Sequence, residues 1–226
     1  NKISIPFATK VCCNFPETVS ELPANKAVLT GTPIRQELLE GSPERALEFT
    51  GFTKDKPVIM IIGGSLGAAA VNDAVRAVLP ELLKTFQVIH LCGKGKLDES
   101  LKNTNGYVQY EYIKKELADL FALADVVISR AGANAICELS ALKKPNLLIP
   151  LSARASRGDQ ILNARSFERM GYSVVLEEEE ITNEKLLETI HSLYKNRASY
   201  ADAMSKSKLT DSIEEIVRLF EQAVNK

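Results

Sequence analysis

The sequence is poor in the residues that hold metals and cross-link small domains. It has two histidines, His90 and His191, far apart in the chain. Its four cysteines, Cys12, Cys13, Cys92 and Cys137, form no Cys-x-x-Cys pair. A zinc site is therefore not expected, and the adjacent Cys12 and Cys13 make a poor disulfide framework, which favours a reducing, cytoplasmic setting. No Asp-x-Asp pair is present to hold a divalent cation on a diphosphate. Charge of one sign is missing too. The formal net charge is −1, and no basic stripe interleaved with aromatics occurs, which argues against a general nucleic-acid binder. Long apolar runs are absent: Val58–Ile62 and Leu147–Leu151 are far too short to cross a bilayer. The opening residues, Asn1-Lys2-Ile3-Ser4-Ile5-Pro6, lack the apolar stretch of a signal peptide. There is no initiator Met, and a fragment or a processed product is expected. Neither the Gly-x-Gly-x-x-Gly of a dinucleotide turn nor the Gly-Lys-Ser/Thr of a P-loop appears, so no cofactor is expected.

What is present is a strong alternation. The 226 residues are 45% apolar and 25% charged, which suits a globular chain with a sizeable core. From residue 57, short β-branched runs alternate with helical spacing. Strands are predicted at Val58–Ile62, Val88–Leu91, Tyr107–Tyr110, Asp125–Ser129, Asn146–Pro150 and Tyr172–Leu176. Helices are predicted at Ala68–Leu79, where Pro80 breaks or kinks the run, at Lys96–Lys102, Glu116–Leu123, Ala133–Leu142 and Gln160–Met170. Three more fill the tail: Asn183–Tyr194, Ala198–Ser205 and Ser212–Val224. The acidic run Glu177–Glu180 reads as a solvated helix approach. Six strands alternating with helices predict an α/β fold, a doubly wound parallel six-stranded Rossmann-like sheet of order 3-2-1-4-5-6. Residues 1–30, with strands at Lys10–Cys13 and Ala27–Thr30 around a helix near Glu17–Leu22, do not fit the repeat. They read as the end of another domain. Residues 31–56 then serve as linker and first helices, 57–210 as the main domain, and 211–226 as a C-terminal helix.

Two turns carry the chemistry. Gly63-Gly64-Ser65-Leu66-Gly67-Ala68 follows the first strand of the repeat, and Ser129-Arg130-Ala131-Gly132-Ala133-Asn134 follows the fourth. Each leads into a helix start, where unpaired N–H groups and a partial positive charge suit a phosphate. In the order 3-2-1-4-5-6 these strands are neighbours at the switch point, so both turns face one crevice. Ser65 can donate to a phosphate oxygen, and Ala133, Asn134 and Ala135 present backbone N–H groups. Glu138, one turn on, can accept from a ribose diol or simply complement the helix dipole. Arg35, after Gly31-Thr32-Pro33, can clamp a phosphate. Tyr112 and Ile113 can wall a base. Asp159 is expected as a helix cap, with Gln160 as a reader of sugar hydroxyls. Arg154 and Arg157 are phosphate or acceptor candidates, or plain surface charges. His90 reads as a packed histidine in a strand and His191 as a surface residue.

Taken in order, Gly31-Thr32-Pro33-Ile34-Arg35, Gly63–Ala68 with Asn72, Tyr112-Ile113, Ser129–Ala133 with Glu138, and Arg157-Gly158-Asp159-Gln160 with Asn163 resemble the C-terminal half of the MurG family, in glycosyltransferase family 28. The resemblance covers essentially the whole chain. It implies the C-terminal half of a GT-B fold, which binds UDP-N-acetylglucosamine. It implies an inverting transfer of N-acetylglucosamine to a lipid-linked muramyl-pentapeptide in peptidoglycan synthesis. That acceptor belongs to an N-terminal domain that touches the cytoplasmic membrane face, so membrane contact is expected only through that half. By position, Arg35, Gly64 and Ser65 would meet the diphosphate, and Ile113 would pair with uracil through its backbone. Ala133, Asn134, Ala135, Ile136, Cys137 and Glu138 would hold phosphate and ribose, and Gln160 would read the sugar. Ala135 stands where many members carry Thr, which removes a hydroxyl. The family's N-terminal Gly-rich turn with its His is absent from this chain, so no catalytic residue is expected here. Two other readings stay open: a donor-binding subunit of a split N-acetylglucosaminyltransferase, or another UDP-sugar glycosyltransferase or epimerase.

Overall fold

A computed structural model of the chain describes residues 3–64, 68–154, 158–207 and 212–224. The chain divides into two compact units, Asn1–Ile34 with Lys206–Lys226 and Arg35–Ser205. In the smaller unit, β1 (Val11–Cys13) and β2 (Ala27–Leu29) pair in parallel through α1 (Pro16–Ser20). Pro16 sits in the first turn of α1, where its missing N–H would have no helical partner anyway. The last helix, Ser212–Val224, belongs to this unit, and the Ser212 hydroxyl donates to the Thr32 carbonyl at 2.9 Å.

The larger unit begins with α2 (Pro43–Thr50), capped by the Ser42 hydroxyl, which accepts from the Arg45 N–H. Then follow β3 (Val58–Ile62), α3 (Ala69–Thr85), β4 (Gln87–Leu91), β5 (Tyr107–Tyr110), α4 (Leu117–Leu123) and β6 (Val126–Ser129). The second half runs through α5 (Ala133–Ala141), β7 (Asn146–Leu148), α6 (Asp159–Arg169), β8 (Ser173–Val175), α7 (Asn183–Lys195) and α8 (Arg197–Ser205). The six strands pair entirely in parallel in the order β5-β4-β3-β6-β7-β8. Counted within the sheet this is 3-2-1-4-5-6, the expected doubly wound order.

The sheet forms because its strands are apolar on both faces. Ile59, Met60 and Ile61 of β3 are wholly buried. Ile59 and Ile61 share one core with Val71, Val75, Leu79 and Leu82 of α3 and Leu186, Ile190 and Leu193 of α7. The register brings the strand ends level: Ile62 lies opposite both Leu91 and Ser129, and Ser129 opposite Leu148. The turns after β3, β6 and β7 therefore leave from one rim.

Three expectations about local structure are corrected. Pro80 does not end its helix; α3 runs on to Thr85. An interior Pro costs about 3 kcal/mol, and burying Leu79 and Leu82, each worth about 1.5–3 kcal/mol, offsets it. Lys96–Lys102 is no α-helix but a loop with one 3-10 turn, Glu99–Leu101. Gly93 and Gly95 there have φ of 90° and 69°, and the Gln109 amide holds the loop by bonding both the N–H and the C=O of Asp98. The acidic run Glu177–Glu180 is not merely solvated. Glu177 pairs with Arg165, Glu178 with Arg130, and Glu180 with Lys185, while Glu179 accepts from the Ser152 hydroxyl. The run ties the turn after β6, the loop after β7, α6 and α7 together.

Candidate functional site

Two adjoining cavities open along the rim, sharing Ile62, Gly64, Ser129 and Ala135. The first is about 180 Å³ and has an apolar floor of Leu91, Ile113, Leu117, Phe121 and Leu139. An apolar cavity of about 150 Å³ admits a benzene ring, so this one has room for a single planar base. Ile113 is 9% exposed, and among the described residues neither its N–H nor its C=O makes a hydrogen bond. A buried, unused peptide edge beside an apolar slot is what a base requires. Tyr112 next to it is 62% exposed, with the Lys114 ammonium 5.9 Å from its ring centroid, so it is not core packing.

Arg35 and Glu138 stand at the mouth of this slot. The Arg35 guanidinium donates through Nε (3.3 Å) and Nη2 (3.1 Å) to Glu138 Oε1. The segment carrying Arg35 is fixed on α4. Gly41 lies so close to the Ala118 carbonyl that a Cβ there would sit 2.1 Å from its oxygen. The Asp119 carboxylate accepts from the Ser42 N–H at 2.8 Å and twice from Arg45, at 2.6 and 2.9 Å. The Arg45 guanidinium, with the Ser42 N–H, holds the Asp119 carboxyl below the usual carboxylate range.

The second cavity is lined by Gly63, Gly64, Gly132, Leu151 and Gln160. Gly64 has φ of 85°, a left-handed backbone that favours glycine. Above it, α5 starts from Gly132 with no side-chain cap. Among the described residues the N–H groups of Ala133, Asn134 and Ala135 make no hydrogen bond, while that of Ile136 is taken by the Gly132 carbonyl. The open helix start thus offers three donors to an anion. Ile136 is wholly buried, and Cys137 half-buried. The Gln160 carbonyl accepts from the Leu151 N–H at 3.1 Å, which turns this side chain along the cavity wall. Helix α6 begins at Asp159 from a left-handed Gly158, so Asp159 is not the cap but a first-turn carboxylate. Arg154 is exposed and lines neither cavity. Ser65 and Arg157 lie outside the described residues.

Other residues build the frame. Arg130 donates to the Ile149 and Pro150 carbonyls, both at 3.1 Å, and the Asn163 amide donates to the Ala131 carbonyl at 3.1 Å. The first fastens the turn after β6 to the segment after β7, and the second fastens it to α6. Asn72 joins the start of α3 to the end of β4 by donating to the Cys92 carbonyl at 2.9 Å. Its carbonyl therefore accepts from His90 Nε2 (3.0 Å), and His90 Nδ1 accepts from the Tyr107 hydroxyl (3.0 Å). Burial first, and the nearby Arg76 charge second, push the His90 pKa down to about 3, so the ring is neutral. Desolvation likewise raises Tyr107 to about 12. A lone strand histidine signals packing in the sequence; its partners come from elements far apart along the chain. Among the described residues no group of three or more His, Cys, Asp or Glu could hold a metal, and no helix is long and apolar enough to cross a membrane.

Residues 58–218 match the glycosyltransferase family 28 C-terminal domain. The chain belongs to glycosyltransferase family 28. Its family relatives include a protein of Lachnospira eligens called UDP-N-acetylglucosamine--N-acetylmuramyl-(pentapeptide) pyrophosphoryl-undecaprenol N-acetylglucosamine transferase, 63% identical over 97% of this chain and 62% of its own length. A protein of the same name from Clostridium perfringens is 56% identical over 100% of this chain and 63% of its own length. The chain thus spans less than two thirds of these relatives. In fold it is similar to the crystal structure of Acinetobacter baumannii MurG, with a TM-score of 0.73 at 24% identity over 95% of this chain and 60% of that one. It is also similar to the kitacinnamycin glycosyltransferase, with a TM-score of 0.71 at 15% identity over 95% of this chain and 55% of that one. The family's Rossmann-like sheet, as one half of a GT-B architecture, is the fold described above.

Proposed function

We propose that this chain is the donor-binding half of an inverting N-acetylglucosaminyltransferase of peptidoglycan synthesis, with UDP-N-acetylglucosamine as donor and a lipid-linked muramyl-pentapeptide as acceptor. The observation that carries the reading is the open start of α5: three N–H groups that make no hydrogen bond among the described residues, at the seam between an apolar slot and a second cavity that reaches Gln160. In this reading uracil enters the slot and bonds the Ile113 peptide, Glu138 takes the ribose diol, and the diphosphate lies across Gly64, Ser65 and the N–H groups of Ala133, Asn134 and Ala135, with Arg35 beside it. The sugar then reaches Gln160. The names of the relatives support the donor and the acceptor.

As the bond to the anomeric carbon breaks, that carbon gains positive charge and the departing UDP gains negative charge. The α5 N-terminus and Arg35 would stabilise the leaving group before it forms, which is electrostatic preorganisation. No residue of this chain is assigned as the base for the 4-hydroxyl of the muramic acid; that group and the acceptor groove are placed in an N-terminal domain. The intact enzyme would work at the cytoplasmic face of the membrane. Calorimetry tests the reading. UDP-N-acetylglucosamine is expected to bind more tightly than UDP-glucose, and Gln160→Ala to reduce that preference. Equal affinities, or an unchanged preference in the variant, would remove the sugar assignment. The isolated chain is expected to bind donor without transferring it; measurable transfer to a lipid acceptor analogue would refute that part.

A further inference from the structure

The contact between Arg35 and Glu138 has an unusual economy. Two of the three guanidinium nitrogens of Arg35, Nε and Nη2, converge on one oxygen, Glu138 Oε1, at 3.3 and 3.1 Å, while Oε2 accepts no bond among the described residues. The two side chains are 54% and 22% exposed, so the pair is open to solvent and to exchange. A ribose diol presents two hydroxyl donors, and a carboxylate binds both best when both its oxygens are available. A nucleoside that bonds one hydroxyl to each oxygen therefore competes with Arg35 for Oε1, and where it displaces Arg35 it leaves the guanidinium with no anion. A nucleoside diphosphate makes the same demand of Glu138 but brings a replacement anion for Arg35.

We propose that the Arg35–Glu138 pair is a specificity device: it competes with the ligand for Glu138 and so favours nucleotides carrying a diphosphate over the bare nucleoside. This rests on the donor-binding reading and adds a role that a simple phosphate contact lacks. Arg35 here acts against nucleosides as well as for diphosphates. The size follows from exposure. A solvent-exposed ion pair is worth about 0.2–1 kcal/mol, which is at most a roughly fivefold effect on affinity. A charge-assisted bond to phosphate is worth about 1.5–3 kcal/mol, or roughly ten- to hundredfold.

The test is a pair of NMR titrations of the full chain, with uridine and with UDP, in wild type and Arg35→Ala. The substitution is expected to raise uridine affinity about two- to fivefold and to lower UDP affinity about two- to hundredfold, the lost phosphate bond less the relieved competition. Opposite signs are the signature, since a residue needed only for folding would weaken both ligands. Salt gives a second readout. Raising the ionic strength screens the pair, so wild-type uridine affinity should rise with salt while that of Arg35→Ala stays flat. If UDP binds the wild type but Arg35→Ala leaves uridine affinity unchanged or lowers it, the competition is refuted and the donor site stands. If UDP does not bind the wild type, the donor-binding reading fails and this inference falls with it.

Discussion

The trio Asn72–His90–Tyr107 and the pair Arg35–Glu138 are both polar clusters of the larger unit, yet they are built on opposite terms. The trio is sealed: its members are 1%, 0% and 3% exposed, all three are neutral, and each is bonded to the next. The pair is charged, half open to water, and held on one carboxylate oxygen. Removing a member of the first leaves a desolvated group unsatisfied, at about 1–3 kcal/mol each. Breaking the second costs at most about 1 kcal/mol, because water and ions take its place. The difference shows how one sheet can have a rigid frame and exchangeable contacts: the frame is dry and neutral, and the contacts are wet and ionic.

The largest effect that could break this comparison is one of pH. The folded pKa of His90, about 3, lies below its unfolded value of 6.5, so between these the unfolded chain binds one more proton. Stability from this group is complete above pH 6.5 and is lost as pH falls toward 3. By pH 4.5 the His90 contribution alone should have fallen by about 2–3 kcal/mol relative to pH 7. The lowered carboxyls of Asp119 and Asp98 add their own losses only at lower pH. Urea midpoints for His90→Gln should be flatter over pH 6.5–4.5 than those of the wild type; parallel curves would mean that the ring is already charged or wet. Next in size, His90→Leu at pH 7 should cost about 1–3 kcal/mol, because it strands the Asn72 carbonyl, while the Tyr107 hydroxyl keeps Arg76 and Cys92 beside it. A loss below about 1 kcal/mol would remove the trio from the frame.

Gly41→Ala sharpens the comparison from the other side. Its Cβ meets the Ala118 carbonyl, so α4 and the segment carrying Arg35 must separate, at about 1–3 kcal/mol. In the donor-binding reading, UDP affinity falls with it. Unchanged UDP binding with reduced thermal stability would show that Arg35 does not depend on this anchor. Smallest of all is Arg35→Ala, expected to leave stability within about 1 kcal/mol of wild type, since its ion pair is exposed. A larger loss in urea denaturation would make the pair part of the frame after all.

The sheet was legible because its cause is local. Val58–Ile62, Val88–Leu91 and Asp125–Ser129 are apolar on both faces, and that pattern, with helices between, leads to strand order 3-2-1-4-5-6. The two turns followed from that order. Pro80 misled because a local rule met a stronger tertiary term, the burial of Leu79 and Leu82. Lys96–Lys102 misled because Gln109, on the neighbouring strand, takes both polar groups of Asp98. The acidic run misled because charge patterning cannot see Arg130 and Arg165 arriving from other elements.

By itself, then, the sequence determined which segments are strands, in what order they lie, and that two glycine turns leave from adjacent strand ends, since backbone preference and hydrophobic period act over a few residues. Only the tertiary structure decided which groups are spoken for. The neutral state of His90, the turning of Gln160 toward Leu151, the unused peptide edge of Ile113 and the meeting of Arg35 with Glu138 103 positions away all depend on partners distant in the chain. Desolvation and hydrogen-bond satisfaction are properties of the packed molecule, and they set what each polar group has left to offer a ligand.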